Sequence, residues 1–373
     1  MKAVLFRLIY VVTRLLRPRR KPSSSRTVLI LQYQMPLGCC VHGTPLYAAL
    51  KGSSTTVIVA TRGLGAAVLA HDPNVDHLIV TDDPTTSFLA KLRVVQQIRS
   101  ELRARALQPD VVLQDGSSKA GSFALLAALL CLAPTEGFAN APQLYDKHLD
   151  YDWDRSLIDN NLRLAEDSAH IEPTVYFTAG DLAAARELVR EANANSPMLV
   201  AFVMQGSGGQ RTGWHDERFA AVVRHVESLG YATVFLGTTA DAVGIDRVRS
   251  LAGSSGVSFA GRTTIPQLVA LLCLCDLLIT VDTGTMHAGR AADVPMVVLG
   301  PSWQRPLEWL PLGKPNVAIL RGEDRASAPP EYRLDEISVE DVTGAVGEIL
   351  QRFPASESVC QQRVSRLLSN TRA

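Results

Sequence analysis

The segment Asp276-Leu-Leu-Ile-Thr-Val-Asp-Thr-Gly-Thr-Met-His-Ala-Gly-Arg-Ala-Ala292, followed by Asp293-Val-Pro-Met-Val-Val-Leu-Gly-Pro301, leaves the chain little freedom in how it folds. It reads as a buried strand, a tight turn at Asp282-Thr283-Gly284, a helix of small residues and a second buried strand. A strand that hands straight over to a helix presents backbone N–H groups and a positive helix end at the strand's carboxyl edge, where phosphates and pyrophosphates bind. Gly284 has no Cβ, so a ligand can come close to the backbone. Taken alone, the turn is better explained by Asp282 or Thr283 capping an ordinary helix.

The rest of the chain repeats the strand-then-helix alternation. Strands are expected at 28–32, 56–60, 77–80 and 110–113, with helices at 44–50, 64–71, 87–106 and 120–132. After a more polar stretch at 140–172, with a helix at 155–167, the pattern restarts with strands at 198–203, 231–236 and 257–260. A glycine-rich loop, Gln205-Gly-Ser-Gly-Gly-Gln210, follows the first of these, and Asp216, Thr264 and Ser338 are expected to cap helices. Two such halves predict an α/β chain of two doubly wound parallel-sheet domains with Rossmann-like topology, at 26–172 and 173–350, facing each other across a cleft. Residues 1–25 form a basic arm and 351–373 a basic helical tail.

Charge and cysteine usage narrow the function further. Lysine plus arginine and aspartate plus glutamate each number 37, so bulk charge gives no sign of a nucleic-acid partner. Eight of the basic residues lie within residues 1–26, which hold no acid. The apolar run from Ala3 to Leu16 is cut by Arg7 and Arg14, so neither a membrane span nor a signal peptide is expected there. An amphipathic helix lying in the interface of the inner membrane, with Pro18-Arg-Arg-Lys21 at anionic headgroups, is the expectation; a helix packed on its own domain is the alternative. The six cysteines make no CxxC pair and sit beside no histidine at ligand spacing, which fits buried thiols in a reducing cytoplasm.

The run V-D-T-G-x-x-H at 281–287, a short alanine-rich helix and then x-x-P-x-x-x-L-G-P to Pro301 resemble the signature of glycosyltransferase family 9, the lipopolysaccharide heptosyltransferases. The resemblance runs from about Val28 to Pro301. It implies the GT-B arrangement and inverting transfer of a heptose, or a related sugar, from a nucleotide-diphosphate donor such as ADP-heptose to a glycolipid of the lipid A–core type. The enzyme would be cytoplasmic and peripheral on the inner membrane. No cofactor is implied, and no metal, since no DxD-like carboxylate pair stands out.

By the same resemblance the donor's diphosphate meets backbone amides of Thr283, Gly284, Thr285 and Met286. Asp282 caps the helix, orients a loop or meets sugar hydroxyls, and His287 is either part of the site or a packing residue. Gly206 and Ser207 match the family's glycine loop. Arg211 lies one step from the position of the family's lysine, which is Thr212 here. In the first half, the family's G-D-x-x-H-x-x-P appears as Gly38-Cys39-Cys40-Val41-His42-Gly43-Thr44-Pro45. Cys39 therefore stands where the presumed basic aspartate belongs, and a neutral thiol is a poor base. Inverting transfer needs a base for the acceptor hydroxyl. His42, by its ordinary pKa, and Asp115, at the end of a strand, are the two candidates. Gly38, Cys39, Arg62 and Lys119 are the expected acceptor-side residues, the last two holding phosphate or standing as solvated charges. Two other readings stay open: a sugar-nucleotide-binding protein that has lost its base, and a sugar-nucleotide 2-epimerase of the same fold.

Overall fold

A computed structural model describes residues 2–18, 25–52, 54–117, 119–166, 169–192, 198–206, 213–328 and 331–369. The chain divides into two compact units, Met1–Pro173 and Thr174–Ala373.

The first unit holds strands β1 (Arg26–Leu31), β2 (Thr55–Thr61), β3 (His77–Val80), β4 (Val111–Gln114), β5 (Thr135–Gly137) and β6 (Lys147–His148). They form one parallel sheet in the order β3-β2-β1-β4-β5-β6. The second unit holds β7 (Leu199–Val203), β8 (Ala232–Phe235), β9 (Val257–Ser258), β10 (Leu277–Val281), β11 (Met296–Leu299) and β12 (Val317–Leu320). Its sheet runs β12-β11-β10-β7-β8-β9, again all parallel. Each sheet thus has the doubly wound order in which the chain starts at the centre, winds to one edge, returns and winds to the other.

Burial follows that order. β7, β10 and β11 are buried at every position, because a central parallel strand is covered by helices on both faces and must be apolar throughout. The edge strands β12 and β9 are only half-buried. One polar device recurs where the central strands begin. Asp110, just before β4, accepts a hydrogen bond from the amide of Thr27 at 2.6 Å, and Asp276, just before β10, accepts one from the amide of Leu199 at 2.7 Å. Each carboxylate pins the first strand of its unit to the fourth.

Helix starts follow their caps. Thr264 with Gln267, and Ser338 with Asp341, form reciprocal capping boxes. Asp216 is the first helical residue rather than the cap, a place taken by His215. The helix expected at 44–50 begins seven residues earlier and spans Leu37–Leu50. Pro45 within it cannot bond Val41 O, and Thr44 Oγ1 does so instead at 2.9 Å. The helix expected at 155–167 is one short piece, Leu157–Leu162, followed by a 3₁₀ turn.

The N-terminal helix, Lys2–Leu15, packs on the first unit. Phe6, Ile9 and Tyr10 rest on a buried cluster that includes Ala124, Ala128 and Leu144, and Tyr10 Oη donates to Asp146 at 3.0 Å. Among the described residues no helix is long and apolar enough to cross a membrane. Arg19, Arg20 and Lys21 lie outside the described residues.

Candidate functional site

In a doubly wound sheet the crevice beyond the carboxyl ends of the first and fourth strands is the place where ligands fit, because the connections there diverge to opposite faces. In the second unit those strands are β7 and β10, paired from Leu277 with Val200 to Thr280 with Val203. β7 leads into Met204, Gln205 and Gly206. Ser207 and Arg211, also expected at the donor, lie outside the described residues.

β10 leads into Asp282 and Thr283, then into the helix Gly284–Ala292. Thr283 is the N-cap residue, in extended backbone geometry, and its side chain makes no capping bond. The opening N–H groups of a helix have no partner within it, and here no cap side chain covers them. Thr283, Gly284 and Thr285 are half-buried, which leaves this end accessible. Met286 differs: its side chain is in the core, and its amide already donates to Thr283 O at 3.0 Å. The amides available to a ligand therefore narrow to 283–285. Asp282 is anchored through its amide to Leu299 O at 3.2 Å, and burial pushes its carboxyl up to about 6. His287 is buried against Trp309 (ring centroids 6.1 Å apart). Burial first, and the nearby Arg290 charge second, push its pKa down to about 3, so the ring is neutral. That is the environment of a packing residue.

The loop after β8 holds a carboxylate that the sequence reading passed over. Asp241 accepts from Thr238 through both its amide, at 2.6 Å, and its hydroxyl, at 2.8 Å. The capping pair Thr-x-x-Asp was the available signal.

The equivalent crevice of the first unit lies between β1 and β4. The helix Leu37–Leu50 brings Gly38, Cys39 and His42 there, all buried, His42 completely. Asp115 directly follows β4 and is 2% exposed. Its Oδ1 accepts from the amide and hydroxyl of Ser117, while its Oδ2 is buried without a hydrogen-bond partner. Burial raises its pKa to about 6 against the opposing Ser117 bonds. Tyr47, one turn beyond Gly43, is also fully buried with an unpartnered hydroxyl. A Cβ on Gly43 would stand 2.8 Å from that hydroxyl and 3.9 Å from Asp115 Oδ2, so only glycine fits between the two groups. No motif pointed to Tyr47.

The two cations expected on the acceptor side are not simply solvated. Arg62, at the end of β2, pairs with Asp83 at 3.0 Å. Lys119 Nζ lies 3.8 Å from the ring centre of Tyr151 and 4.2 Å from that of Trp153. Tyr151 also borders Gly116, so this aromatic seat adjoins Asp115. Among the described residues no three His, Cys, Asp or Glu side chains gather as a metal site.

The model of glycosyltransferase family 9 (heptosyltransferase) matches residues 97–331, well over half of the chain. The chain belongs to glycosyltransferase family 9. The family match takes in Asp115 and the Asp282 turn but begins after the Gly38–Pro45 helix. Lipopolysaccharide heptosyltransferase 2 of Salmonella typhimurium is 28% identical over 109 residues, 28% of this chain and 31% of that one. The aligned stretch thus spans about a third of that curated relative. Two solved structures share the fold. The glycosyl transferase family 9 protein of Veillonella parvula has a TM-score of 0.77 at 22% identity, covering 90% of this chain and all of its own. The ADP-heptose lipopolysaccharide heptosyltransferase II of E. coli has a TM-score of 0.71 at 16% identity, covering 88% and 100%. With them, this family 9 chain is of the GT-B type, with two parallel six-stranded sheets flanked by helices.

Proposed function

We propose that this family 9 chain is an inverting glycosyltransferase that moves a heptose, or a closely related sugar, from a nucleoside-diphosphate donor to a lipopolysaccharide-core type glycolipid at the inner face of the membrane. The observation that carries the reading is the uncapped, half-exposed helix start at Thr283–Thr285, at the switch point of the second unit. Backbone N–H groups in that position suit a diphosphate and strengthen their hold as charge builds on the leaving group. ADP-heptose is the favoured donor, because the E. coli relative of the same fold is named for it. In this reading Gly206, Ser207 and Arg211 are further candidates for the diphosphate, and Asp241 is the candidate for the ribose hydroxyls.

Asp115 is the base in this reading. It takes the proton from the acceptor hydroxyl as that oxygen bonds to the anomeric carbon. The bond from that carbon to the diphosphate breaks, and the negative charge passes to the diphosphate on the amides of 283–285. A carboxyl with a pKa near 6 is ionised at neutral pH, yet more basic than an ordinary carboxylate. His42, wholly buried within its helix, shapes the crevice, and Cys39 is a buried thiol beside it. Arg62 and Lys119 hold acceptor phosphate or carboxylate groups.

The test is a melting-temperature panel with ADP-, GDP- and UDP-sugars, followed by turnover with a lipid A–core acceptor. Stabilisation by ADP-heptose, with ADP and a glycosylated product formed together, is expected. Binding without turnover would make the chain a sugar-nucleotide binder, and nucleotide release without glycosylated acceptor would point to a hydrolase or epimerase.

A further inference from the structure

The N-terminal helix carries two apolar faces, of which the domain uses one. Phe6, Ile9 and Tyr10 turn inward. Val4, Leu8, Val11, Val12 and Leu15 recur at helical spacing on the opposite side and stay in solvent, Val4 72% and Leu15 79% exposed. Arg7 and Arg14, also exposed, flank that stripe. Tying the inner face down through Tyr10 and Arg17 to Asp146 fixes which way the stripe points. A soluble chain gains nothing from a rigid apolar stripe turned to water, and such patches mark contact surfaces.

A cavity of about 450 Å³ opens where the stripe ends, within the ~300–1,000 Å³ usual for small-molecule sites. Leu16, itself 70% exposed, and Leu102, Leu107 and Leu132 give it an apolar lining. Arg99 and Arg103 stand at its wall. Arg99 is fixed there by donating Nε and Nη2 to Leu130 O, and Arg103 is exposed. The nearby acid Asp146 is already committed to Arg17. An apolar lining that starts at Leu16, one residue past the stripe, and is bordered by cations matches a ligand with an alkyl tail and an anionic head presented from a surface.

We propose that the first unit docks on a bilayer through the outward face of its N-terminal helix and takes one anionic phospholipid into the adjoining groove, its acyl chain on the leucines and its phosphate on Arg99 and Arg103. The proposal rests on the membrane-apposed reading above and adds the orientation and the lipid.

Flotation of the full chain with phosphatidylcholine vesicles, with and without phosphatidylglycerol, tests it. Wild type is expected to float with the anionic vesicles and poorly with the neutral ones. The double variant Leu8→Asp, Leu15→Asp alters only exposed positions and is expected to lose at least about tenfold in binding. Arg103→Glu is expected to lose the preference for phosphatidylglycerol. Melting temperature and transfer to a water-soluble acceptor fragment should stay at wild-type values in both variants, which separates this failure from loss of fold or of the site. Wild type that floats with neither vesicle refutes membrane apposition itself. Wild type that floats while Arg103→Glu keeps its lipid preference overturns the groove alone. Variants that turn a dimer into a monomer by light scattering, with vesicle binding intact, assign the stripe to a second copy of the chain and overturn the docking.

Discussion

The two units have the same strand order and even the same carboxylate pin between first and fourth strands, Asp110 to Thr27 and Asp276 to Leu199. Their switch points nevertheless offer opposite chemistry. In the second unit the strand ends in Asp-Thr-Gly, the helix starts at once, and what reaches the surface is backbone. In the first unit the strand is followed by buried side chains, Asp115 with Tyr47 and His42, and glycine is used to bring them close. On the proposed reading, a repeated scaffold supplies main-chain donors in one half and a titrating side chain in the other, the division of labour that transfer from an anionic leaving group to a hydroxyl requires.

The sharpest way to break that comparison is Asp115→Asn. If the first unit supplies the base, kcat should fall by roughly 10²–10⁴ while donor affinity measured by calorimetry stays put. A weakened donor with unchanged kcat would assign Asp115 to binding and dissolve the contrast. Gly284→Val comes next. A branched side chain at the helix start should cost the diphosphate roughly a hundredfold in affinity, in line with the loss of one preorganised donor. Normal ADP affinity in a folded Gly284→Val protein would remove the second unit's role.

How much of this was legible in the sequence follows the same contrast. The second crevice could be read because the role proposed for it lies in the backbone, and Leu277–Val281 and Asp282-Thr283-Gly284 announce backbone shape directly. The first could be read only in part. Gly38, Gly43 and Pro45 are poor helix formers, so the start at Leu37 was missed; tertiary burial overrides their propensity. Asp115 stood out by position, whereas Tyr47, Tyr151 and Trp153 reach the crevice only through tertiary packing that no local spacing encodes. The short strands β5, β6 and β12 escaped notice because two or three residues, or a half-buried edge, carry too little periodicity.

Stability against pH probes a feature the two crevices share. Asp115 and Asp282 both have pKa values raised to about 6 by burial, against about 3.9 in an unfolded chain. A raised carboxyl favours the fold below the unfolded value and loses that advantage as pH climbs through 6, at an outside cost of about 3 kcal/mol per group. Asparagine at either position should therefore raise the melting temperature at pH 7.5 and leave it unchanged at pH 4. A gain of equal size at both pH values would show that the carboxylates are not desolvated, and would remove the basis for Asp115 as a tuned base.

The smallest expected effect separates binding from scaffolding at Lys119. Its ammonium lies over Tyr151 and Trp153, contacts worth ~0.5–2 kcal/mol. If Lys119 meets the acceptor's anionic groups, Lys119→Ala should raise the acceptor KM by about fivefold, with kcat and the donor KM held. Trp153, 49% exposed, serves as the control. Trp153→Ala frees the lysine from one of its rings, so a binding role predicts a smaller rise in the same KM, whereas a purely structural pair predicts equal drops in melting temperature for both variants and no change in KM. The second outcome would leave the first unit with a base but without an acceptor cation at this position, and would shift acceptor recognition toward Arg62 and its Asp83 partner.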